Sequence, residues 1–255
     1  LILSDNSIIY YKIFLVISLM FITVKTTFSQ ILTFEFSGYA GNETTGTSNT
    51  NNSGINSTNS VITRGSGLNA TNNGNRFNAN NHQTGSSISD AISGNDYFEL
   101  VIEPNAGYQF SISSIDIIFQ RSGTGPRAIA LRNSLDSYAS DLGSAQTIAD
   151  NTSSQSFTFT FSQSNSSSAV TYRFSTYNAE STAGTGGFEG SGNDIVVNGS
   201  VSSTGSSITW TGSSSTDWNT AANWSGGSVP SAGDDVTIPD AVSYTHLTLP
   251  TSYPV

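Results

Sequence analysis

Residues 155–163 read Gln-Ser-Phe-Thr-Phe-Thr-Phe-Ser-Gln, the cleanest alternation of apolar and polar side chains in this 255-residue chain. Successive side chains of a β-strand point to opposite faces, so phenylalanines two residues apart share one face. This pattern predicts a strand with one side in a core. The same period recurs at 32–36, 97–102, 108–119 and 170–176, and no helical period extends over a comparable length. The sequence therefore predicts an all-β protein.

A change of phase inside the longest alternating stretch predicts a β-bulge. Apolar residues alternate over 108–112 and resume one position out of phase over 115–119. One extra residue moves the following side chains to the other face, so we expect a bulge or tight turn at Ser113-Ser114. About eight such strands fit an antiparallel β-sandwich that is jelly-roll-like. An immunoglobulin-type sandwich is the alternative, although its core tryptophan and paired cysteines are absent from this stretch.

Charge and cysteine content argue against several classes of function. The chain has 18 Asp+Glu against 8 Lys+Arg, a formal net charge of -10, and no cysteine. So acidic a protein repels phosphate backbones and anionic lipid, which argues against nucleic-acid and membrane-surface partners. Without cysteine there is no disulfide and no thiolate nucleophile. A secreted domain must then be stabilised by burial, and roughly 170 residues bury about 70 % of their unfolded surface.

Residues 1–29 are typical of a secretory signal peptide. The apolar run 13–24 follows a lysine and is about a dozen residues long, whereas a helix needs roughly 20 to span a bilayer. Small residues at Thr27 and Ser29 favour cleavage after Ser29, so that Gln30 begins the mature chain. We therefore expect a secreted protein with no membrane span in its mature part. A membrane anchor or a buried helix is the alternative.

The C-terminal residues differ in origin from the rest. Residues 242–251 (VSYTHLTLPT) resemble, in a single reading frame, the translation of a transposase-type sequencing adaptor. We therefore expect 242–255 to be a non-native tail, which removes His246 as a candidate ligand. The alternative is a genuine strand, since apolar and polar residues alternate here as well.

Composition divides the mature chain into two units. Residues 30–201 contain the alternating strands, interrupted by two stretches of low complexity at 41–60 and 69–95 that are typical of loops. A serine-rich linker at 202–207 leads to residues 208–241, where all three tryptophans fall. We expect the first unit to be the sandwich and the second to be the beginning of another fold.

Four motifs, taken in order, carry a family resemblance in the first unit. They are 63–68 (TRGSGL), 96–99 (DYFE), 120–126 (QRSGTGP) and 192–199 (GNDIVVNG). With these motifs, residues 31–201 resemble an uncharacterised sandwich domain of secreted proteins from the Bacteroidetes group. The resemblance implies an extracellular or cell-surface location. Proteins of that group often carry a C-terminal sorting domain for type IX secretion.

The second unit resembles the opening segment of adhesin-like parallel β-helices. Residues 208–240 contain its pattern W-x-G…DW…A-x-N-W…VP…DDVTIP. In that family the segment precedes a solenoid on the cell surface. We therefore expect 208–241 to be the truncated start of such a unit, with its tryptophans lying over a hydrophobic end. The resemblance implies architecture and location, but no reaction.

No motif in the sequence predicts a catalytic centre. His82 is the one histidine outside the tail, and it stands in an Asn-rich stretch without a G-x-S-x-G or H-E-x-x-H motif. We interpret it as an ordinary exposed loop residue. Glu99 and Glu103 share a strand face at roughly 13 Å, as solvated residues do. The glycine-rich 184–190 lacks the Lys and Ser/Thr of a phosphate loop and is interpreted as a flexible loop. We do not expect an enzyme.

Calcium is the cofactor that the composition favours. Hard cations need several oxygen ligands, which Asp, Glu and Asn side chains supply. Many sugar-binding jelly rolls hold a structural calcium where the first and last strands meet. By that analogy we predict a calcium site formed by Glu35, Asn193 and Asp194. No EF-hand spacing supports it, and the alternative is a set of carboxylates on strand edges in water.

Arginine use in the strands indicates selected pairs. The arginines in or beside predicted strands are Arg64, Arg121, Arg132 and Arg173. The mature chain has no lysine, so the rigid bidentate fork of arginine is used selectively. We expect cross-sheet pairs with Glu99, Asp116 or Asp136. The alternative is a polar cluster that holds sugar hydroxyls or a carboxylated glycan. Tyr39, Tyr138 and Tyr177 are suited to stacking on sugar rings, although a sandwich core takes up most residues of this kind.

These observations favour a non-catalytic, adhesin-like module of the cell surface that contacts extracellular glycans weakly. A carbohydrate-binding accessory domain of a secreted polysaccharide-degrading enzyme, with its catalytic part missing, is the second hypothesis. An enzyme in its own right is the third. Only the two binding hypotheses explain a chain that is rich in strands and tyrosines but poor in candidate acids, bases and nucleophiles.

Overall fold

A computed structural model describes residues 29–190, 192–231 and 233–239. Within them, strands form two antiparallel sheets that share one hydrophobic core. The predicted all-β antiparallel sandwich is confirmed. The predicted signal peptide up to residue 28 and the predicted adaptor-derived tail 242–255 lie outside the described residues.

The first sheet is built on one long central strand. Its eight strands are β1 (Ser29–Phe34), β3 (Thr50–Asn51), β5 (Asn69–Ala70), β6 (Phe77–Asn80), β8 (Tyr108–Arg121), β11 (Gln155–Ser166), β13 (Gly186–Phe188) and β14 (Ile195–Ser203). The order is β3-β1-β14-β8-β13-β6-β5, and β11 also pairs with β8. Because β14 ends its pairing at Ile117 and β13 begins at Phe119, the sheet divides into two branches at Ile118.

The second sheet contains six strands, all antiparallel. They are β2 (Gly46–Thr47), β4 (Val61–Arg64), β7 (Tyr97–Ile102), β9 (Ala128–Asn133), β10 (Gln146–Thr147) and β12 (Val170–Tyr177). Their order is β10-β9-β12-β7-β4-β2. Phe98 and Phe174 are register partners on the buried face, so β7 and β12 carry the centre of this sheet's contribution to the core.

Phenylalanines from both sheets meet at the centre of the core. Phe188 on β13 lies 5.0 Å from Phe98, 5.4 Å from Phe174 and 5.5 Å from Phe119 between ring centroids. All of these rings are fully buried and meet edge to face, the arrangement that the aromatic quadrupole favours. Phe188 therefore joins the two sheets at one point.

The interpretation of 184–190 as a flexible loop is wrong, because β13 lies in the middle of the first sheet between β8 and β6. A Cβ at Gly187 would lie 2.5 Å from the carbonyl oxygen of Phe77, so only glycine allows the two backbones to approach. Glycine in a strand hides the alternation by which strands are recognised.

The two low-complexity stretches are also more ordered than predicted. Residues 41–60 contain β2 and β3, and 69–95 contain β5, β6 and the helix α1 (Ile88–Gly94). Ser87 and Asp90 form a reciprocal capping box at the start of α1, a signal that the sequence carried. The loop prediction therefore describes most of 41–60, whereas it misses β6 and α1 in 69–95.

The predicted bulge in β8 is confirmed. Asn198 pairs with Ser114 and the next residue, Gly199, pairs with Ile112, which leaves Ser113 as the extra residue. Ile112 and Ile115 consequently both face the core. One long strand can thus keep its apolar side buried on both sides of the bulge.

Residues 207–237 form a second, small cluster. β15 (Ser207–Thr209) and β16 (Asp235–Thr237) pair in parallel. Trp210 and Trp218 each pack against Trp224, with centroids 4.9 and 4.6 Å away. The tryptophans therefore form a small core of their own with Ile208, and the expectation that they lie over a hydrophobic end stays a prediction. Since β14 continues to Ser203, the linker is shorter than the predicted 202–207.

No helix in the described ranges has the length and apolar character that crossing a membrane would require.

We expect Phe188→Ala to lower the free energy of unfolding by about 3–5 kcal/mol, because it opens a cavity where the sheets meet. The matched control is Leu135→Ala, since Leu135 is 58 % exposed, and its effect should stay within about 0.5 kcal/mol. Urea denaturation followed by fluorescence measures both. A loss at Phe188 no larger than at Leu135 would contradict the central role of this ring.

Candidate functional site

A row of charged side chains crosses the outer face of the second sheet. Glu99 on β7, Arg173 on β12 and Arg132 on β9 are consecutive register partners. Their chain neighbours Phe98 and Phe174 are fully buried, so alternation places the charged row on the opposite, solvent side of the sheet. Arg132 and Arg173 are therefore like charges placed directly side by side, an arrangement that costs stability unless other groups compensate it.

Arg173 is held by contacts on three sides. Its guanidinium carbon lies 4.2 Å from the ring centroid of Tyr97 and 3.9 Å from that of Tyr138. Its Nε donates to Oε2 of Glu99 at 2.8 Å. Neither Nη atom donates a hydrogen bond to a described residue, and the side chain keeps 27 % of its exposure. A planar group fixed in this way presents its free donors in one orientation.

Arg132 is oriented by a carboxylate and a carbonyl. Its Nε donates to Oδ1 of Asp141 at 2.6 Å, and its Nη1 donates to the carbonyl oxygen of Tyr138 at 3.0 Å. Tyr177 lies close to this pair: burial raises the pKa of its phenol, Asp141 raises it further, and Arg132 lowers it. Each arginine of the row thus has its own carboxylate.

Tyr138 reaches both arginines through an unusual backbone. Ser137 and Tyr138 both adopt left-handed conformations, with φ of 60° and 62°. A bulky residue rarely takes this conformation, which costs on the order of 1 kcal/mol or more. It places the ring on Arg173 and the carbonyl oxygen on Arg132. We call Glu99, Arg132, Arg173, Tyr97, Tyr138 and Asp141 the outer-face cluster.

The arginine pairing prediction is right at one place and wrong at others. Arg173 does pair with Glu99. Asp116 instead accepts hydrogen bonds from side chains of β11 and β14, and Asp136 accepts them from backbone amides of its own loop. The partner of Arg132, Asp141, was missed because it lies in a loop, where no strand register indicates it. Tyr97 was also missed, although its spacing of two from Glu99 places both on one face.

Arg121 and Arg64 hold loops instead of facing solvent. Arg121 is 1 % exposed and donates to the carbonyl oxygens of Gly123 and Gly125, while pairing with Asp150 at 2.6 Å. Arg64 donates to three backbone carbonyls and lies 3.8 Å from the ring centroid of Phe77. Burial lowers the pKa of Arg64 to about 10, which leaves it charged at neutral pH. The 63–68 and 120–126 motifs are therefore structural.

His82 is buried, so its interpretation as an exposed loop residue is wrong. It has no exposed surface, and its Nδ1 lies 2.8 Å from the Thr176 hydroxyl. Its Nε2 lies 3.2 Å from the carbonyl oxygen of Ala79 and must carry the proton, since a carbonyl only accepts. Burial lowers the pKa of His82 to about 4, so the ring is neutral at pH 7. It joins β6 to the second sheet as a packed core residue.

The residues of the predicted calcium site lie at the junction of β1 and β14, but each uses an oxygen elsewhere. Oε1 of Glu35 accepts from Ser37, Oδ1 of Asn193 accepts from Asn49, and Oδ2 of Asp194 accepts from an amide at 2.7 Å. Oδ1 of Asp194, in contrast, has no hydrogen-bond partner among the described residues.

The junction of β1 and β14 offers few free oxygen ligands for a calcium ion. Across the described ranges, no group of three or more His, Cys, Asp or Glu is arranged to hold a metal ion. One buried carboxylate oxygen is far from the six to eight oxygens that calcium takes. The calcium site of Glu35, Asn193 and Asp194 therefore stays a prediction, and no role is derived from it.

Asp194 has a clear structural role at the same place. Its Oδ2 accepts the amide proton of Phe36, at the point where the chain leaves β1 for the other branch of the sheet. Burial, reinforced by the neighbouring carboxylates Glu35 and Glu189, raises the pKa of Asp194 to about 7 against the lowering effect of that amide. A buried carboxylic acid here satisfies the amide without carrying a full charge.

No protein-family model matches this chain. No curated protein matches it significantly either. The residues and their geometry are therefore the basis for a functional conclusion.

The free energy of unfolding should fall as the pH rises from about 4 to about 7. The pKa of Asp194 is higher in the folded than in the unfolded protein, so in that range the folded protein binds more protons, and raising the pH favours unfolding. The shift from 3.8 to about 7 corresponds to up to about 4 kcal/mol. Asp194→Asn keeps an acceptor for the Phe36 amide but has no charge. The free energy of unfolding of this variant relative to wild type should therefore rise with pH. Urea denaturation of both proteins at about pH 4, 6 and 8 measures this difference in stability. An unchanged difference across the series would contradict it.

The same proteins test the calcium prediction. A calcium ion at Asp194 would hold the carboxylate ionised, so about 1 mM calcium, the range used by extracellular modules, would stabilise the wild type at neutral pH. Asp194→Asn would lose that stabilisation, and chelation would reverse it. Identical unfolding curves with calcium and with chelator would overturn the predicted site.

Proposed function

We propose that this protein is a non-catalytic, adhesin-like extracellular module that is displayed on the cell surface and contacts glycans through the outer-face cluster. The observation that carries the proposal is Arg173, held between two tyrosine rings and Glu99 with its Nη donors free. The binding is weak, because the cluster lies on an open sheet face and not in a deep pocket.

The chemistry of the cluster suits sugars. Hydroxyl groups of a saccharide donate and accept hydrogen bonds, and the cluster offers guanidinium donors next to carboxylate acceptors. Tyrosine rings add an apolar surface with a polar tip, the combination that sugar rings with their C–H faces require. The side chains of Arg173, Glu99 and Asp141 are partly exposed, so a ligand can reach them without unfolding the sheet.

The buried ionisable groups support a scaffold in preference to an enzyme. His82 is neutral and enclosed between β6 and β12, and Arg121 is used up by turn carbonyls and two carboxylates. A catalytic acid or base needs contact with a substrate in a plausible pose. These groups have their partners within the fold.

The proposed location rests on the sequence. The apolar run at 13–24 and the resemblances of 31–201 and 208–240 favour an extracellular, cell-surface protein. The two-stranded parallel pair of β15 and β16 supports the β-helix resemblance, since a β-helix is built from parallel strands.

The accessory-domain hypothesis uses the same cluster but differs in affinity and selectivity. A rigid, preoriented arginine reduces the entropy lost on binding, which would favour selective recognition of one polysaccharide. A dissociation constant below about 10 µM for a single polysaccharide would favour an accessory domain, whereas about 0.1–1 mM for several would favour the adhesin-like module.

We expect the full chain to bind at least one polysaccharide on a glycan array and in isothermal titration, and Arg173→Lys to weaken that binding at least about tenfold, since lysine keeps the charge but loses the planar fork. Arg76→Lys is the matched control: it changes a part-buried arginine that pairs with Glu189 at 3.7 Å, away from the cluster. Its binding should equal that of wild type. No binding to any glycan by the folded chain would sink the proposal.

A further inference from the structure

We infer that the ligand of the outer-face cluster is a neutral, hydroxyl-rich saccharide and not a carboxylated one. This inference rests on the proposed function and specifies the class of glycan. It follows from the charge balance of the cluster, from the positions of its free donors and acceptors, and from the charge of the whole chain.

The cluster is electrically balanced. Arg173 pairs with Glu99 at 2.8 Å and Arg132 pairs with Asp141 at 2.6 Å, so each guanidinium already has a carboxylate. A second carboxylate, from a uronic acid, would have to share a donor that is already neutralised. It would also lie near Glu99 or Asp141, and like charges at such distances repel. A ligand without charge meets neither obstacle.

The row places two guanidinium donors between two carboxylate acceptors. Among the residues that the structure describes, Arg173 keeps both Nη groups free and Arg132 keeps Nη2 free, while Glu99 and Asp141 each use one oxygen and keep the other. Neighbouring hydroxyls of a sugar donate one hydrogen bond and accept another, so they match a guanidinium beside a carboxylate. A carboxylate group only accepts, so where it replaces a hydroxyl it offers no donor to the free oxygens of Glu99 and Asp141.

The backbone holds this arrangement before the ligand arrives. The left-handed conformations of Ser137 and Tyr138 are an observed strain, and strain of this kind collects at functional sites. Its effect is to set the ring of Tyr138 on Arg173 and its carbonyl on Arg132. The strained turn thereby fixes both arginines of the row, so less side-chain entropy is lost on binding.

The net charge of the whole chain also favours a neutral ligand over a carboxylated one. With a formal net charge of -10, the protein repels an approaching polyanion and slows its association. A neutral polysaccharide is indifferent to this field. Binding should therefore depend little on ionic strength.

The test compares two sets of polysaccharides on the full chain: glucan, mannan and xylan as neutral probes, and polygalacturonate and alginate as carboxylated probes. We expect the neutral set to bind at least about tenfold more tightly. Raising NaCl from about 20 to about 500 mM, across which the Debye length shortens severalfold, should change that affinity less than about twofold.

Glu99→Gln tests the charge balance directly. It removes the negative charge that neutralises Arg173 while keeping an oxygen for its Nε. We expect this variant to gain affinity for polygalacturonate at low salt and to lose that gain at high salt, since exposed charges are screened. Arg76→Lys is again the control, and circular dichroism establishes that each variant is folded.

The outcomes separate the two proposals. Arg173-dependent binding of neutral probes with little effect of salt supports both. Tighter, salt-sensitive binding of carboxylated probes that requires Arg173 overturns the inference but supports the proposed function. Binding of any probe that Arg173→Lys leaves unchanged overturns the outer-face cluster as the site, and hence both. Absence of all binding overturns the proposed function itself.

Discussion

The two sheets meet at Phe188, whose ring contacts Phe98 and Phe174 from the opposite sheet. This contact sets the distance and the rotation between the sheets, because a close-packed interior tolerates neither a gap nor an overlap. On β7, Glu99 directly follows Phe98, and on β12, Arg173 directly precedes Phe174. The same alternation that buries the phenylalanines thus places the ion pair on the outside. One pairing register of β7 and β12 therefore positions both the core phenylalanines and the outer-face cluster.

Two features of the outer-face cluster lower the stability of the fold, and this distinguishes the cluster from an ordinary solvated surface. Cross-strand arginines repel each other, and Tyr138 adopts a left-handed backbone that bulky residues avoid. An adhesin or accessory module needs a site that is rigid but open, and a sheet face supplies rigidity without enclosure. The second sheet would be easier to stabilise with threonines and valines along this row.

Three of the four motifs behind the family resemblance have a structural use, whereas the fourth, at 96–99, contains Tyr97 and Glu99 of the outer-face cluster. Arg64 and Arg121 fold back onto carbonyl oxygens next to glycines, and Asp194 accepts the amide of Phe36 where the first sheet divides. These residues hold turns and a branch point that the sandwich requires. Such residues give no direct information on a ligand. The residues of the outer-face cluster lie largely outside those motifs.

Periodicity predicted the long strands and a bulge or tight turn at Ser113-Ser114, because a period of two with one buried face indicates which side chains share a face. It placed Glu99 among three candidate partners for the arginines of the strands, without assigning it to Arg173. Short strands such as β13 were not predicted, since glycine has no side chain that could show the alternation. His82 was predicted to be exposed because its polar sequence neighbours are typical of a loop. Which loop residue meets which strand, as Asp141 meets Arg132 and Tyr138 meets Arg173, was decided only by the tertiary structure. Contacts between a loop and a distant strand depend on how the sheets pack, and no local pattern records that.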